Sequence, residues 1–141
     1  WMKSLECQVQ ETDCGDYISV DTVMVDIPAF RSTEDNRFYF HPDSSLVTFS
    51  HERAYCEFYR DYENPLGEWN SMEIYTIDGN SVHLVNGQPN MKVMNSRHIV
   101  DGDEVPLTKG KIQLQSEGAE IFYRNIELKP ISEIPEKVWT F

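Results

Sequence analysis

Residues 69–88 constrain the fold more tightly than any other stretch of the chain. Trp-Asn-Ser-Met-Glu-Ile-Tyr-Thr-Ile at 69–77 reads as a strand, and Asp78-Gly79-Asn80 follows it. The chain returns through residues 81–85, and Asn86-Gly87 turns it again into Gln88-Pro89. Asp-Gly and Asn-Gly suit two-residue hairpins because both central residues of such a turn need positive φ. Strand, Asp-Gly, strand, Asn-Gly therefore predicts an antiparallel meander.

The rest of the chain agrees. Residues 4–10 alternate, with Leu5, Cys7 and Val9 on one face and Glu6, Gln8 and Gln10 on the other. Residues 11–16 break the pattern as a turn, and 17–24 read as a second strand. Residues 28–50 read as a long polar excursion, of the kind that walls or covers a site or is a poorly ordered insertion. Residues 90–109 hold one further short strand and a polar loop. At 110–128 two alternating runs flank Ser116-Glu117-Gly118, which predicts a strand pair around a hairpin or tight corner. Pro130 and Pro135 leave the tail little room for a strand interior. No stretch of twelve residues keeps a 3.6 period. With 141 residues the expectation is one all-β domain over 1–141, an antiparallel sandwich or barrel around a single core. Trp1 begins inside what reads as a strand approach, so the chain is expected to be a piece of a longer protein.

Charge narrows the function classes. Twelve Lys and Arg stand against 24 Asp and Glu, a formal net charge of −12, which leaves no basic footprint for phosphate backbones. Nucleic acid is excluded as a main partner, whereas neutral ligands and divalent cations are compatible with an acidic surface. No apolar run is long enough for a membrane span. The cysteines, Cys7, Cys14 and Cys56, are odd in number and show no zinc-binding spacing.

The polar rows bear the chemistry. Gln113 and Gln115 lie opposite Ile112 and Leu114 and lead to Glu117 and Glu120. A row of amides and acids in a groove suits a ligand rich in hydroxyls; the bland alternative is a solvated strand face.

Three segments in order resemble one family: Ser4-Leu5-Glu6-Cys7-Gln8-Val9-Gln10-Glu11; Gly67-Glu68-Trp69-Asn70 with His83-Leu84-Val85-Asn86-Gly87; and the run 110–128. Together they resemble the 3-keto-disaccharide hydrolase domain, a family frequent in Bacteroidetes. The resemblance spans 4–131 and is loosest over 28–62. It implies a concanavalin A-like jelly-roll sandwich with a sugar site on its concave face, and N-terminal strands that this chain lacks. It also implies cleavage of 3-keto-glycosides by hydrolysis or elimination, with a divalent cation (calcium or manganese) as a possible cofactor. A periplasmic, secreted or cell-surface location follows from the family. The alternative is a non-catalytic carbohydrate-binding module on the same fold.

Against that resemblance the candidates fall into place. Glu6, Gln8 and Glu11 match an acid-x-Gln-x-x-acid pattern, as sugar ligands or, for Glu6 and Gln8, metal ligands, or else as a solvated strand face. Glu11 also stands as a candidate acid or base. His83 is the first choice for the base because its ordinary pKa lies nearest neutrality, yet it shares parity with Val85 and so can face inward. Glu117, where some relatives carry His, is either an acid or base with a raised pKa or a turn residue without a task. Gln113 and Gln115 are candidate hydroxyl ligands. Trp69 either stacks on a sugar ring or belongs to the core. A two-carboxylate glycosidase is disfavoured, since no Glu-x-x-x-Glu pair marks one strand.

Overall fold

The computed structural model describes residues 2–141; Trp1, and the strand approach read there, lie outside them. The chain runs β1 (Ser4–Cys7), β2 (Tyr17–Val20), β3 (Val23–Arg31), β4 (Phe38–Phe40), β5 (Leu46–Phe49), β6 (Tyr55–Cys56), β7 (Met72–Ile77), β8 (Asn80–Val85), β9 (Gln88–Val100), β10 (Asp103–Pro106) and α1 (Glu136–Trp139). One sheet has the order β1-β2-β6. The other follows β4-β3-β9-β8-β7, with β5 on β3 and β10 on β9. All named pairings are antiparallel. Tyr17 and Cys56 of the small sheet share one buried cluster with Val25, Ile27, Met91 and Val93 of the large one, which makes the fold a β-sandwich. Among the described residues no helix is long and apolar enough to cross a membrane.

The meander forms as its turns require. Met72 pairs with Val85 and Ile77 with Asn80 around Asp78 and Gly79, whose φ values are 49° and 76°. Asn86 and Gly87 repeat that geometry at 50° and 75°. A register shift between His83 and Leu84 bulges β8 against β9. Val82 and Leu84 pack with Val138 of α1, whereas Val85 and His83 meet Gly15.

Four sequence expectations need correction. Residues 17–24 are not one strand: Asp21, at φ 61°, turns the chain between β2 and β3, and Val and Met on both sides hid the break. The excursion at 28–50 contains the end of β3 and all of β4 and β5, strands of three and four residues that are too short to show alternation. Residues 90–109 hold most of the 13-residue β9 and all of β10, and His98, expected in a loop, pairs within β9 with Val23 and Val105.

The largest difference is at 110–128, where no strand forms. Gly118 turns the chain at φ 71°, and the Tyr123 hydroxyl reaches back to the Gln115 carbonyl at 2.6 Å, so the segment doubles back without a ladder. Alternation marks a face for burial but does not supply the neighbouring strand that must satisfy the backbone. Here Ile126 is 66% and Leu128 82% exposed.

Candidate active site

Glu6 sits in β1 opposite Ile18 of β2 and is half-buried. Burial first, and then the Glu117 carboxylate, push its carboxyl above the usual range. Acids 111 residues apart thus lie close enough to feel each other's charge, one half-buried in the first strand and one exposed in the turn at 116–118. Gln115 extends its amide toward Glu117 Oε2 at 3.5 Å, a long contact. The Tyr123 phenol joins the group. Burial raises its pKa first, its bond to the Gln115 carbonyl works the other way, and Cys14 and Glu6 add to the rise.

Gln115, Glu117 and Tyr123 therefore form one group within the 110–128 segment, and Glu6 of β1 lies within electrostatic reach of it. Tyr123 was missed in the sequence. Its only signal there was its position on the face opposite Phe122 and Arg124.

The other expected residues lie around this cluster or beneath it. Gln8 turns its side-chain carbonyl onto the Val9 N–H at 2.9 Å, while its backbone holds Gly15 and Asp16. Glu11 is exposed just past β1, and its charge is felt at the Cys14 thiol. Gln113 is exposed. Trp69 is half-exposed, so it is not a core residue, and one ring face is covered by the Arg124 guanidinium 3.9 Å from its centroid. That contact pins the 110–128 segment to the loop before β7.

His83 is 3% exposed, with Nδ1 3.3 Å from the Gly15 carbonyl. A carbonyl only accepts, so this geometry selects the Nδ1–H tautomer. Burial lowers the imidazole pKa to about 4, although the Gly15 bond opposes the shift. His83 stands beneath the Cys14–Gly15 corner as a neutral ring.

For a divalent cation on the expected atoms, Glu6 offers a carboxylate beside a second one, a donor set that suits a hard ion. Gln8 offers an amide oxygen already engaged by Val9. Two surface clefts, of about 340 and 530 Å³, lie elsewhere, along β4 to β6, and share Phe38 and Arg53. Chemically, two carboxyls in different environments with amides and a phenol beside them can divide the work of accepting and donating a proton.

Comparison with known proteins gives one family: a family model described as the 3-keto-alpha-glucoside-1,2-lyase-like domain matches residues 1–129. No curated protein and no solved structure matches the chain.

Proposed function

Because the chain belongs to the 3-keto-α-glucoside-1,2-lyase-like family, whose role is glycoside cleavage, we propose that it cleaves glycosides already oxidised to a ketone at C3. The ketone acidifies the hydrogen on C2. Glu117 takes that proton, and the C2–H electron pair moves into the C2–C3 bond to give the enolate. As the ketone re-forms, the pair shifts to a C1–C2 double bond and the C1–O bond breaks. Glu6, whose carboxyl holds its proton more tightly than usual, protonates the departing oxygen. Water adding at C1, with a proton to C2, completes net hydrolysis; release before that step gives the lyase outcome.

Gln113 and Gln115 bind sugar hydroxyls and the ketone in this scheme, and Glu11, Gln8 and the free edge of Trp69 line the approach. A divalent cation on Glu6 and the Gln8 amide oxygen would supply polarisation of the ketone only with Glu6 ionised and Gln8 released from Val9, and a group other than Glu6 would then protonate the departing oxygen. His83 takes no proton here, because a buried imidazole with a pKa near 4 facing a carbonyl is a poor base at neutral pH. It positions the 14–15 corner instead.

The observation that supports this reading is the electrostatic coupling of Glu6 in β1 to Glu117 in the 116–118 turn. The test is incubation with a 3-keto-glucoside and with its unoxidised parent, with and without chelator. Only the keto sugar should be cleaved. Glu117→Gln should lose roughly 10²- to 10⁴-fold in kcat, and His83→Gln should retain most of the activity. Equal cleavage of the parent would indicate a two-carboxylate glycosidase, and binding without cleavage a carbohydrate-binding module; either result contradicts the proposal.

A further inference from the structure

A second group of carboxyls forms where the turn after β1 meets the end of β6. Asp13, Asp16 and Glu57 each place a carboxylate oxygen within 4.8 Å of the others. Acidic clusters are common on an acidic protein, but Asp16 sets this one apart. Its side chain is fully buried, with a relative exposure of 0%. Oδ1 accepts the Phe58 N–H at 2.6 Å, while Oδ2 is buried with no hydrogen-bond partner among the described residues. Buried carboxylate oxygens are costly to leave unpaired, so an orphan of this kind calls for an unseen partner.

The neighbours define what that partner would be. Asp13 Oδ2 accepts from the Gln10 amide at 2.9 Å, and Glu57 Oε1 accepts from Arg37 Nη1 at 2.9 Å. With all three carboxyls ionised, Arg37 would offset one negative charge and a divalent ion the other two. An all-oxygen donor set selects a hard cation. Calcium takes several protein oxygens in a flexible geometry, whereas magnesium demands a near-ideal octahedron and usually keeps several of its own waters, so a cage of three protein carboxylates favours calcium. The cleft of about 530 Å³, lined among others by Asp13, Arg37, Tyr55 and Glu57, offers the entry path.

We propose that Asp13, Asp16 and Glu57 form a divalent-cation site of the calcium class that ties the 10–16 turn to the end of β6. The site is independent of the substrate reading above and is separate from Glu6 and Gln8. Its rival occupant is a proton shared between Asp16 and Glu57. The ion secures the turn whose Gly15 carbonyl holds His83, so its role is structural.

Chelator-treated protein titrated with calcium chloride alone at pH 7.5, followed by calorimetry and thermal unfolding, tests the site without any substrate. The expected result is one ion bound at this site and a Tm that rises with calcium beyond a sodium chloride control of equal ionic strength. Asp16→Asn and Glu57→Gln should each weaken binding at least tenfold, and Glu6→Gln should leave it unchanged. Asp13→Asn, on the more exposed ligand, gives the same reading should the Asp16 variant fail to fold. Absence of heat and of a Tm shift up to millimolar calcium would overturn the site in favour of the shared proton. Binding lost in Glu6→Gln but kept in Asp13→Asn and Glu57→Gln would overturn it in favour of the β1 face.

Discussion

Gly15 occupies a position that no other residue fits. Its φ is +96°, and a Cβ there would stand 2.9 Å from Asn90 Nδ2 and 3.0 Å from Val85 Cγ2. Gly15→Ala therefore combines a left-handed backbone with overpacking, and should cost about 2–4 kcal/mol in denaturant unfolding. A loss below about 0.5 kcal/mol, the range of an inert surface change, would contradict this account of the corner. His83, bonded to the Gly15 carbonyl, gives the second residue-scale prediction. Its pKa falls on folding from 6.5 to about 4, so between those values the unfolded chain binds the proton that the folded one refuses. The His83 contribution is complete above pH 6.5 and is lost as pH falls toward 4, a change of roughly 3 kcal/mol. Glu6 and Asp16, whose carboxyls are pushed up, act in the opposite sense over the same range, so the readout is wild type minus His83→Gln. A difference that stays flat from pH 7 to 4 would show that the imidazole is not held neutral by burial.

Among the elements, β3, β8 and β9 hold the buried centre of the large sheet, and the 110–128 segment is the least supported. Met91 and Val93 of β9 and Val82 and Val85 of β8 are fully buried, whereas residues 110–128 lack a ladder. Hydrogen exchange should find the amides of β8 and β9 among the slowest and those of 110–128 among the fastest. Protection of every second amide across 110–128 would restore the hairpin that the sequence suggested. The contrast explains what could be read in advance. Asp78-Gly79 and Asn86-Gly87 fix their hairpins through local φ preferences, so β7, β8 and the start of β9 were legible residue by residue. The turn at Asp21 was not, because valines and methionine ran through it. Nor were β4 and β5, whose three and four residues exist only because β3 offers an edge. The 110–128 runs carry a strand pattern but depend on a partner that no local pattern reveals. The site divides in the same way: Glu6, Gln115 and Glu117 were visible as polar positions, and His83's inward parity with Val85 was visible too. The nearness of Glu6 to Glu117 was not, nor was Tyr123, because both depend on a chain reversal. Asp13 and Asp16 looked like ordinary turn residues.

For the whole molecule, two sheets close on a core of Tyr17, Val25, Ile27, Phe40, Phe49 and Met91, while the 110–128 segment is held outside it by Arg124 on Trp69 and by the cluster around Glu6. The catalytic reading therefore joins an edge strand of the small sheet to the least supported part of the molecule, and Glu117 stays near Glu6 only while that segment stays docked. The most direct test is to supply a 3-keto-glucoside with deuterium at C2 and follow the label in the released sugar, against a control without protein. Proton removal by Glu117 predicts that the label is lost as the C1–O bond breaks, and that Glu117→Gln abolishes both events together. Cleavage with the deuterium still on C2 would contradict the account.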